Sequence, residues 1–233
     1  MSLIITVANE KGGVGKTTTA VELALQAIAG GHKACIVDTD HQQSCVKFKM
    51  RREQLAGDVA KLKVLPLVGK SVGLQIRELA GDFDVLVVDA GGRDSQEMRL
   101  AMLTSHLVVI PTSAKSLETD GLNKMASLIN EVRLQNPALA AVILPTRLGA
   151  SSHSADRQII IDECRRPIDP DHPAGGTIAD VVPTVLMAHT VWRNAFDRAY
   201  TWGKSVLEMD PRDPKAVSEV LGIYREVMEA ANG

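Results

Sequence analysis

Short apolar runs alternate along this chain with stretches in which apolar residues recur every three or four positions. The apolar runs predict strands, and the periodic stretches between them predict helices. The predicted strands are Leu3 to Ala8, Ala34 to Asp38, Lys63 to Pro66, Phe83 to Asp89, His106 to Pro111, Ala140 to Thr146 and Thr177 to Val182. This alternation predicts an α/β fold, a doubly wound and mainly parallel sheet with helices on both faces.

The last third of the chain adds two expectations. Residues 166–176 are rich in proline, aspartate and glycine, which predicts an irregular surface loop and the most mobile segment. The C-terminal stretch has helical spacing, with an apolar face and a largely acidic polar face. Its apolar residues are Val217, Val220, Leu221, Tyr224, Val227, Met228 and Ala231. We expect this helix to pack on the core of its own domain.

Composition is that of an ordinary globular protein. The 233 residues are 45% hydrophobic and 23% charged, with a formal net charge of -2, which predicts one domain over residues 1–233. No apolar stretch approaches the ~18 residues of a membrane span, and the first strand leaves no room for a signal peptide. Cys35, Cys45 and Cys164 lack disulfide or metal-ligand spacing, which suits the cytosol, and Cys35 is expected in the core.

The first candidate site is a phosphate-binding loop, Glu10 to Thr18, between the first strand and the first helix. Strand, glycine loop and helix in this order let backbone N–H groups converge on phosphate oxygens at the positive end of the helix. Lys16 adds a point charge, and Thr17 can offer its hydroxyl to Mg²⁺. The remaining residues predicted to bind nucleotide here are Gly12, Gly13, Val14, Gly15 and Thr18.

Acidic residues end two later strands. Asp38 ends the second strand and Asp40 lies two residues later, and strand ends in a parallel sheet converge on the ligand crevice. One carboxylate can face Mg²⁺ and the other an attacking water, although acidic residues here also commonly cap helices. Asp89 ends the fourth strand and is predicted to hold Mg²⁺. Gly91 and Gly92 either sense a γ-phosphate or only form the following turn.

These three motifs together resemble the deviant Walker A ATPases of the ParA/MinD type, in particular the ParA-like plasmid and chromosome partition ATPases. The resemblance implies a P-loop NTPase fold, ATP and ADP as ligands, Mg²⁺, and a homodimer that forms with ATP. Lys11 matches the signature lysine of the family and is implied to reach the partner's phosphates in trans. Asp40 matches the acid that positions the hydrolytic water, and Lys16 matches the phosphate lysine. Thr17, Asp38 and Asp89 match the residues that surround the metal ion in the family.

The resemblance is weaker after the first half of the chain. The family often reads Asp-Pro-Gln where this chain has Asp40-His41-Gln42. Thr146 and Arg147 fall where relatives contact adenine. The spacing from Arg193 through Gly203 to Val206 resembles a C-terminal segment that helps several members bind DNA.

The family further implies non-specific DNA binding, a ParB-like or other stimulating partner protein, and a cytoplasmic, nucleoid-associated location. Candidate DNA contacts are Lys47, Lys49, Arg51, Arg52, Arg193 and Arg198. For residues 47–52 a solvated helix face is an equal alternative. Trp192 and Trp202 are interpreted as packing residues.

Other members of the family suggest alternative functions. An acidic C-terminal helix argues against membrane attachment of the MinD kind, because anionic lipid would repel it. The loop at residues 90–92 lacks the cysteine that an iron–sulfur relative needs. The remaining alternatives are an ATPase that positions a protein cargo and a metabolic ATP-dependent ligase on the same scaffold. A separate operator-binding domain is not expected, since the phosphate loop begins almost at residue one.

Overall fold

The computed structural model describes residues 2–55, 59–92, 95–116, 121–169 and 176–232. Within these ranges seven strands form one sheet, in the order β3-β2-β4-β1-β5-β6-β7, and every pairing is parallel. The strands are β1 (Leu3–Val7), β2 (Ala34–Asp38), β3 (Lys63–Pro66), β4 (Val85–Asp89), β5 (Leu107–Thr112), β6 (Ala140–Pro145) and β7 (Thr184–Val185). The predicted doubly wound parallel sheet is confirmed.

Helices connect the strands. They are α1 (Lys16–Ala29), α2 (Ser44–Arg52), α3 (Val72–Leu79), α4 (Gln96–Thr104), α5 (Gly121–Arg133), α6 (His153–Cys164), α7 (Ile178–Val181), α8 (Asn194–Thr201) and α9 (Pro214–Asn232). In the part of the chain that the structure describes, short 3₁₀ helices span Ala114–Ser116 and Val206–Glu208. No helix in the described ranges has both the length and the apolarity needed to cross a membrane.

Successive strand residues supply the cores on opposite faces of the sheet. In β1, Ile5 and Val7 pack with α1 and α9, whereas Ile4 packs with α3 on the other face. The helices α4 and α5 cover the same second face beside β5 and β6. Because both faces are covered, the strands read as continuous apolar runs, and this is why their positions could be predicted.

The seventh strand was predicted in the wrong place. Residues 178–181 form the short helix α7, because Thr177 and Asp180 cap it reciprocally. The Thr177 hydroxyl accepts from the backbone N–H of Asp180, and the Asp180 carboxylate accepts from the N–H of Thr177. β7 follows three residues later and is only two residues long. Within the predicted loop at 166–176, residues 170–175 lie outside the described ranges.

The C-terminal helix packs on the domain as expected. Val220, Ile223 and Val227 are buried, and Ile223 and Val227 join the core around α1. The polar side of α9 is used as well. Glu219 and Glu226 accept hydrogen bonds from the backbone N–H groups of residues 187, 188 and 191, so α9 also holds the segment that follows β7.

Candidate nucleotide site

The phosphate loop joins the end of β1 to the start of α1 at the carboxyl edge of the sheet. Gly13 and Gly15 have φ of 73° and 93°, a left-handed conformation that favours glycine. Lys16 begins α1 and is buried, and its Nζ donates to the carbonyl oxygen of Lys11 at 2.7 Å. Burial lowers the pKa of Lys16, while Asp89 and Asp40 oppose this. The folded loop therefore turns its phosphate lysine back over its own backbone.

Asp89 ends β4 directly beside the start of α1. Its Oδ2 accepts from the Thr17 hydroxyl at 2.8 Å and from the Cys45 thiol at 3.2 Å. Its Oδ1 is buried and has no hydrogen-bond partner among the residues that the structure describes. Burial raises the pKa of Asp89 to about 7. An unpartnered carboxylate oxygen beside a threonine hydroxyl offers the hard oxygen ligands that Mg²⁺ prefers, so the residues fit the predicted cation.

The Cys45 thiol was missed as a site residue by sequence reasoning. A lone cysteine after a strand carries no spacing signal, and its contact with Asp89 depends on how α2 returns to the sheet. Burial, with the neighbouring carboxylates, raises the pKa of Cys45 well above its usual range. The group is therefore a neutral thiol that donates to Asp89.

The two carboxylates after β2 differ in their surroundings. Asp38 is fully buried, and its Oδ2 accepts from the backbone N–H groups of Cys45 and Val46 at 2.9 and 3.1 Å. Asp38 Oδ1 accepts from the N–H of Asp40, and burial raises the pKa of Asp38. It thus holds the first turn of α2 in place, the helix-capping alternative of the sequence analysis. Asp40 is only partly buried and lines the cleft.

A cleft of about 830 Å³ opens over these residues. A β-carbon on Gly91 would lie 3.7 Å from the Cα of Asp40, and one on Gly92 would lie 3.3 Å from the Nζ of Lys16. The residues predicted from sequence that line it are Gly12, Gly13, Gly15, Lys16, Thr17, Thr18, Asp40, Gly91, Gly92 and Arg147. The cleft also includes residues that were not predicted, namely Thr39, His41, Gln42, Ser44, Ser95, Asp197 and Tyr200.

One side of the cleft continues into a smaller pocket between the segments that follow β6 and β7. The Thr146 hydroxyl donates to the carbonyl oxygen of Val14 at 2.8 Å, which ties the end of β6 to the phosphate loop. Arg147 has φ of 54°, and its guanidinium lies 5.0 Å from the centre of the Trp192 ring. Trp192 is 57% exposed and Trp202 is 60% exposed. The interpretation of both tryptophans as packing residues is therefore wrong.

The basic candidates on α2 have different environments. Lys47 is exposed, and Lys49 pairs with Glu53 one turn later. Arg51 lies over the ring of Tyr200, 5.0 Å from its centre. Arg52 is buried, and its guanidinium makes hydrogen bonds of 2.7 and 2.8 Å to the carboxylate of Glu208. A buried, paired guanidinium has no face to offer to DNA.

The two basic candidates near α8 also differ from each other. Arg193 pairs with Glu219 of α9 at 2.8 Å, with both side chains largely covered. Arg198 is exposed on α8. Only Arg198 of these two offers an accessible charge.

The C-terminal motif around Gly203 and Ser205 joins three parts of the chain. A β-carbon on Gly203 would lie 2.5 Å from the backbone nitrogen of Arg52, so only glycine fits. The Ser205 hydroxyl donates to Glu22 of α1 at 2.6 Å, and the N–H of Val206 donates to the same carboxylate at 3.0 Å. The motif thus holds α1 and α2 to the C-terminal segment.

Comparison with known proteins identifies a family match over most of the chain. Residues 5–185 match the model of the CobQ/CobB/MinD/ParA nucleotide binding domain. The chromosome-partitioning ATPase Soj of Thermus thermophilus is 32% identical over 161 residues, 58% of this chain and 65% of that protein, so the match spans just under two thirds of the relative.

Two solved structures share the fold. Cyanothece McdA in complex with ATP superposes with a TM-score of 0.71 at 15% identity, covering 99% of this chain and 96% of that one. Cobyrinic acid a,c-diamide synthase of Mycobacterium smegmatis, with an ATP analogue and magnesium, gives a TM-score of 0.59 at 23% identity, covering 70% and 81%. With the family model matching most of its length, the chain belongs to the CobQ/CobB/MinD/ParA nucleotide-binding family.

Proposed function

We propose that this protein is a partition ATPase that dimerises on Mg²⁺-ATP, binds DNA without sequence preference and releases it after hydrolysis stimulated by a partner protein. The observation that carries the proposal is a cleft in which Lys16 and Thr17 of a two-lysine phosphate loop lie with Asp40. Buried Asp89 accepts from the Thr17 hydroxyl at this cleft. Lys16 would bind phosphate from within the subunit, and Lys11 would act on the nucleotide of the other subunit. Such a division of labour makes hydrolysis depend on dimerisation.

Thr17 and Asp89 are the residues that would hold Mg²⁺. The support is the pairing of the Thr17 hydroxyl with a carboxylate whose second oxygen is buried and unpartnered. When bound, the cation would neutralise charge on the phosphates. Asp38 would act behind them by keeping the first turn of α2, and hence Cys45, against Asp89. The role of Asp38 is therefore proposed as support for the metal site.

Asp40 is the proposed positioning group for the attacking water. It is partly exposed to the cleft, and its Oδ1 already accepts from the backbone N–H of Gln42, which fixes its direction. A β-carbon on Gly91 would contact Asp40 and one on Gly92 would contact Lys16 Nζ, so the bare backbone at these glycines leaves room for a γ-phosphate in the cleft. We include them as the proposed γ-phosphate sensor.

Thr146, Arg147 and the adjoining pocket form the proposed base side of the nucleotide site. Thr146 is tied to Val14, and the N–H of Arg147 donates to the Thr190 hydroxyl. These bonds keep the pocket next to the phosphate loop. The exposed ring of Trp192 offers a flat apolar face for a purine there.

Only some of the basic residues predicted to contact DNA remain in the proposed DNA-binding surface. Lys47 and Arg198 are exposed, while Lys49 and Arg51 are partly covered by Glu53 and Tyr200. Arg52 and Arg193 are excluded from the proposed surface, because each side chain is largely covered as well as bound to a carboxylate. A contact built on a few surface cations weakens steeply as salt rises.

The first alternative is an ATPase that positions a protein cargo, and it differs from the proposal in what is moved. Soj is named for chromosomes, whereas another relative, from Gloeobacter kilaueensis, is named for carboxysome distribution. We favour DNA as the surface that the dimer binds in either case, since exposed cations lie on α2 and α8 beside the cleft. A cytoplasmic, nucleoid-associated location and a ParB-like stimulator follow from the same proposal.

A metabolic ligase is the rival of a different class. It would phosphorylate a carboxylate, and its ATP turnover would rise with small carboxylic acids. Lys11 has no place in such a mechanism within one subunit, and this favours the partition ATPase. Turnover that responds to DNA or a partner protein and ignores small carboxylates would remove the ligase.

The experiment is a DNA-binding titration at several salt concentrations with Mg²⁺-ATP, with Mg²⁺-ADP and without nucleotide. We expect tight binding with ATP only, with an affinity that falls linearly on a logarithmic salt scale. A Lys16→Ala variant, which should not bind nucleotide productively, is the matched control. Equal DNA binding in all three nucleotide conditions would contradict the proposal.

A further inference from the structure

The first turn of α5 lies against the residues that open the phosphate loop. A β-carbon on Gly121 would lie 3.2 Å from Cγ and 3.7 Å from Cε of Lys11, and 3.8 Å from Oδ1 of Asn9. One turn later, Lys124 pairs with Glu10 at 3.5 Å. The stem of Lys11 therefore runs along a helix surface that has no side chain at the point of contact.

The backbone of Lys11 is held on both sides. Asn9 is 2% exposed, and its side-chain amide donates to the carbonyl oxygen of Pro111 at 2.8 Å while its Oδ1 accepts from the N–H of Lys11 at 2.9 Å. The carbonyl oxygen of Lys11 accepts from Lys16 Nζ. Because its N–H and carbonyl groups are both hydrogen-bonded, the backbone of Lys11 is held in place, and only its side chain can change direction.

The ammonium of Lys11 makes no ion pair with any residue in the described part of the chain. Among the described residues no ion pair restrains its end, and the packing of its stem contributes to where the charge lies. A lysine stem has many rotamers, and a flat surface that excludes some of them reduces the entropy lost when the charge engages a phosphate.

We propose that Gly121 is a positioning residue for Lys11: the bare surface of α5 at this glycine sets the direction of the lysine that serves the other subunit's nucleotide. The inference rests on the proposed function, because it assumes that Lys11 acts across a dimer. The inference adds that α5, a helix outside the phosphate loop, controls the residue that each subunit contributes to the other subunit's site. Asn9 contributes by fixing the backbone from which the stem departs.

Backbone freedom does not explain the glycine. Gly121 has no left-handed φ, and it occupies the first residue of α5, where alanine is the better helix former. Gly121→Ala should therefore fold at least as well as the wild type. Its new methyl group would meet the flexible Lys11 stem, which must give by a few tenths of an ångström. Gly121→Ala is thus expected to keep or raise the stability of the fold while it impairs the function of Lys11.

The test compares Gly121→Ala with Lys11→Ala and with the control Gly222→Ala. Gly222 is also helical, and its added β-carbon would meet Ala188 at an ordinary 3.6 Å. Thermal unfolding, ATP affinity and steady-state phosphate release from Mg²⁺-ATP with DNA present are measured for each. We expect Gly121→Ala to keep its stability and ATP affinity but to lose at least about fivefold in turnover, since misplaced reacting groups are costly. Gly222→Ala should match the wild type.

A mixing experiment separates positioning from damage to the subunit's own site. Gly121→Ala retains Asp40, and Asp40→Ala retains a correctly placed Lys11, so a mixed dimer has one complete site. Random pairing of equal amounts would give about a quarter of the wild-type rate or more, whereas the average of the two variants measured alone is at most about a tenth. A mixture of Gly121→Ala with Lys11→Ala should stay at the average of the two variants measured alone.

The outcomes distinguish this inference from the proposed function. Wild-type turnover by Gly121→Ala beside a defective Lys11→Ala would overturn the inference and leave the function standing. Failure of the Asp40→Ala mixture to restore turnover would also overturn it. A wild-type protein without Mg²⁺-ATP turnover would overturn the proposed function and the inference with it.

Discussion

Glu22 connects the helix of the phosphate loop to the C-terminal segment through a buried carboxylate. It is 7% exposed and accepts hydrogen bonds from Ser205 and Val206. Burial raises its pKa from 4.5 to about 7, although both hydrogen bonds oppose this. The folded state therefore binds this proton more tightly than the unfolded state. Stability is greatest below pH 4.5 as far as this group is concerned, and it falls as the pH rises from 4.5 to about 7.

We predict that Glu22→Gln removes this loss. The interval between 4.5 and about 7 corresponds to roughly 3 kcal/mol at about 1.4 kcal/mol for each pKa unit. The variant should be more stable than the wild type by up to this amount at pH 8.5, and the two should converge towards pH 4.5. Urea unfolding at a series of pH values measures the difference directly.

The matched control is Glu229→Gln, which changes an exposed glutamate of α9. Its pH profile should run parallel to that of the wild type. A Glu22→Gln variant with an unchanged profile, or one that is less stable than the wild type at pH 8.5, would refute the reasoning. In that case the two hydrogen bonds would outweigh the cost of burying the charge.

Three further predictions concern the cleft and its supports. Asp40→Ala should still bind ATP and dimerise but hydrolyse it at least about a hundredfold more slowly, the range typical of proton-transfer groups; sedimentation with ATP as a monomer would contradict this. Trp192→Ala should weaken ATP binding roughly tenfold, as loss of a base-stacking ring does, while tripolyphosphate binding and the control Trp202→Ala stay unchanged in calorimetry. Gly203→Ala should cost at least about 2 kcal/mol in urea unfolding, because φ is 64° and the new methyl group would meet the backbone of Arg52.

The sheet could be predicted because burial on both faces makes each central strand a continuous run of apolar residues. Residues 85–88 are all apolar and all buried, and the same holds for 34–37 in β2. The segment at 177–182 is also largely apolar in sequence, but its two polar residues, Thr177 and Asp180, form a cap that makes it helical. In a sequence, the polar residues of a capping box cannot be distinguished from those that end a strand, because the pairing of the segment with a neighbouring strand is unknown.

The site could be predicted where chemistry is local in sequence. The phosphate loop needs its glycines and Lys16 within a few residues, and Asp89 ends a recognisable strand. The exposure of Trp192 and the burial of Arg52 could not be inferred, since both depend on contacts with residues far along the chain. Arg52 pairs with Glu208, 156 positions away. A basic run on a helix does not reveal which of its charges are already neutralised.

The two borders of the sheet are poor templates for another strand. β7 offers only two residues, and β3 offers four, of which Lys63 is charged and exposed and Pro66 has no N–H to donate. Growth of the sheet from one molecule into the next is therefore disfavoured at both ends. Under the proposed function, copies that gather on DNA would therefore not be joined into fibrils by strand pairing at these borders.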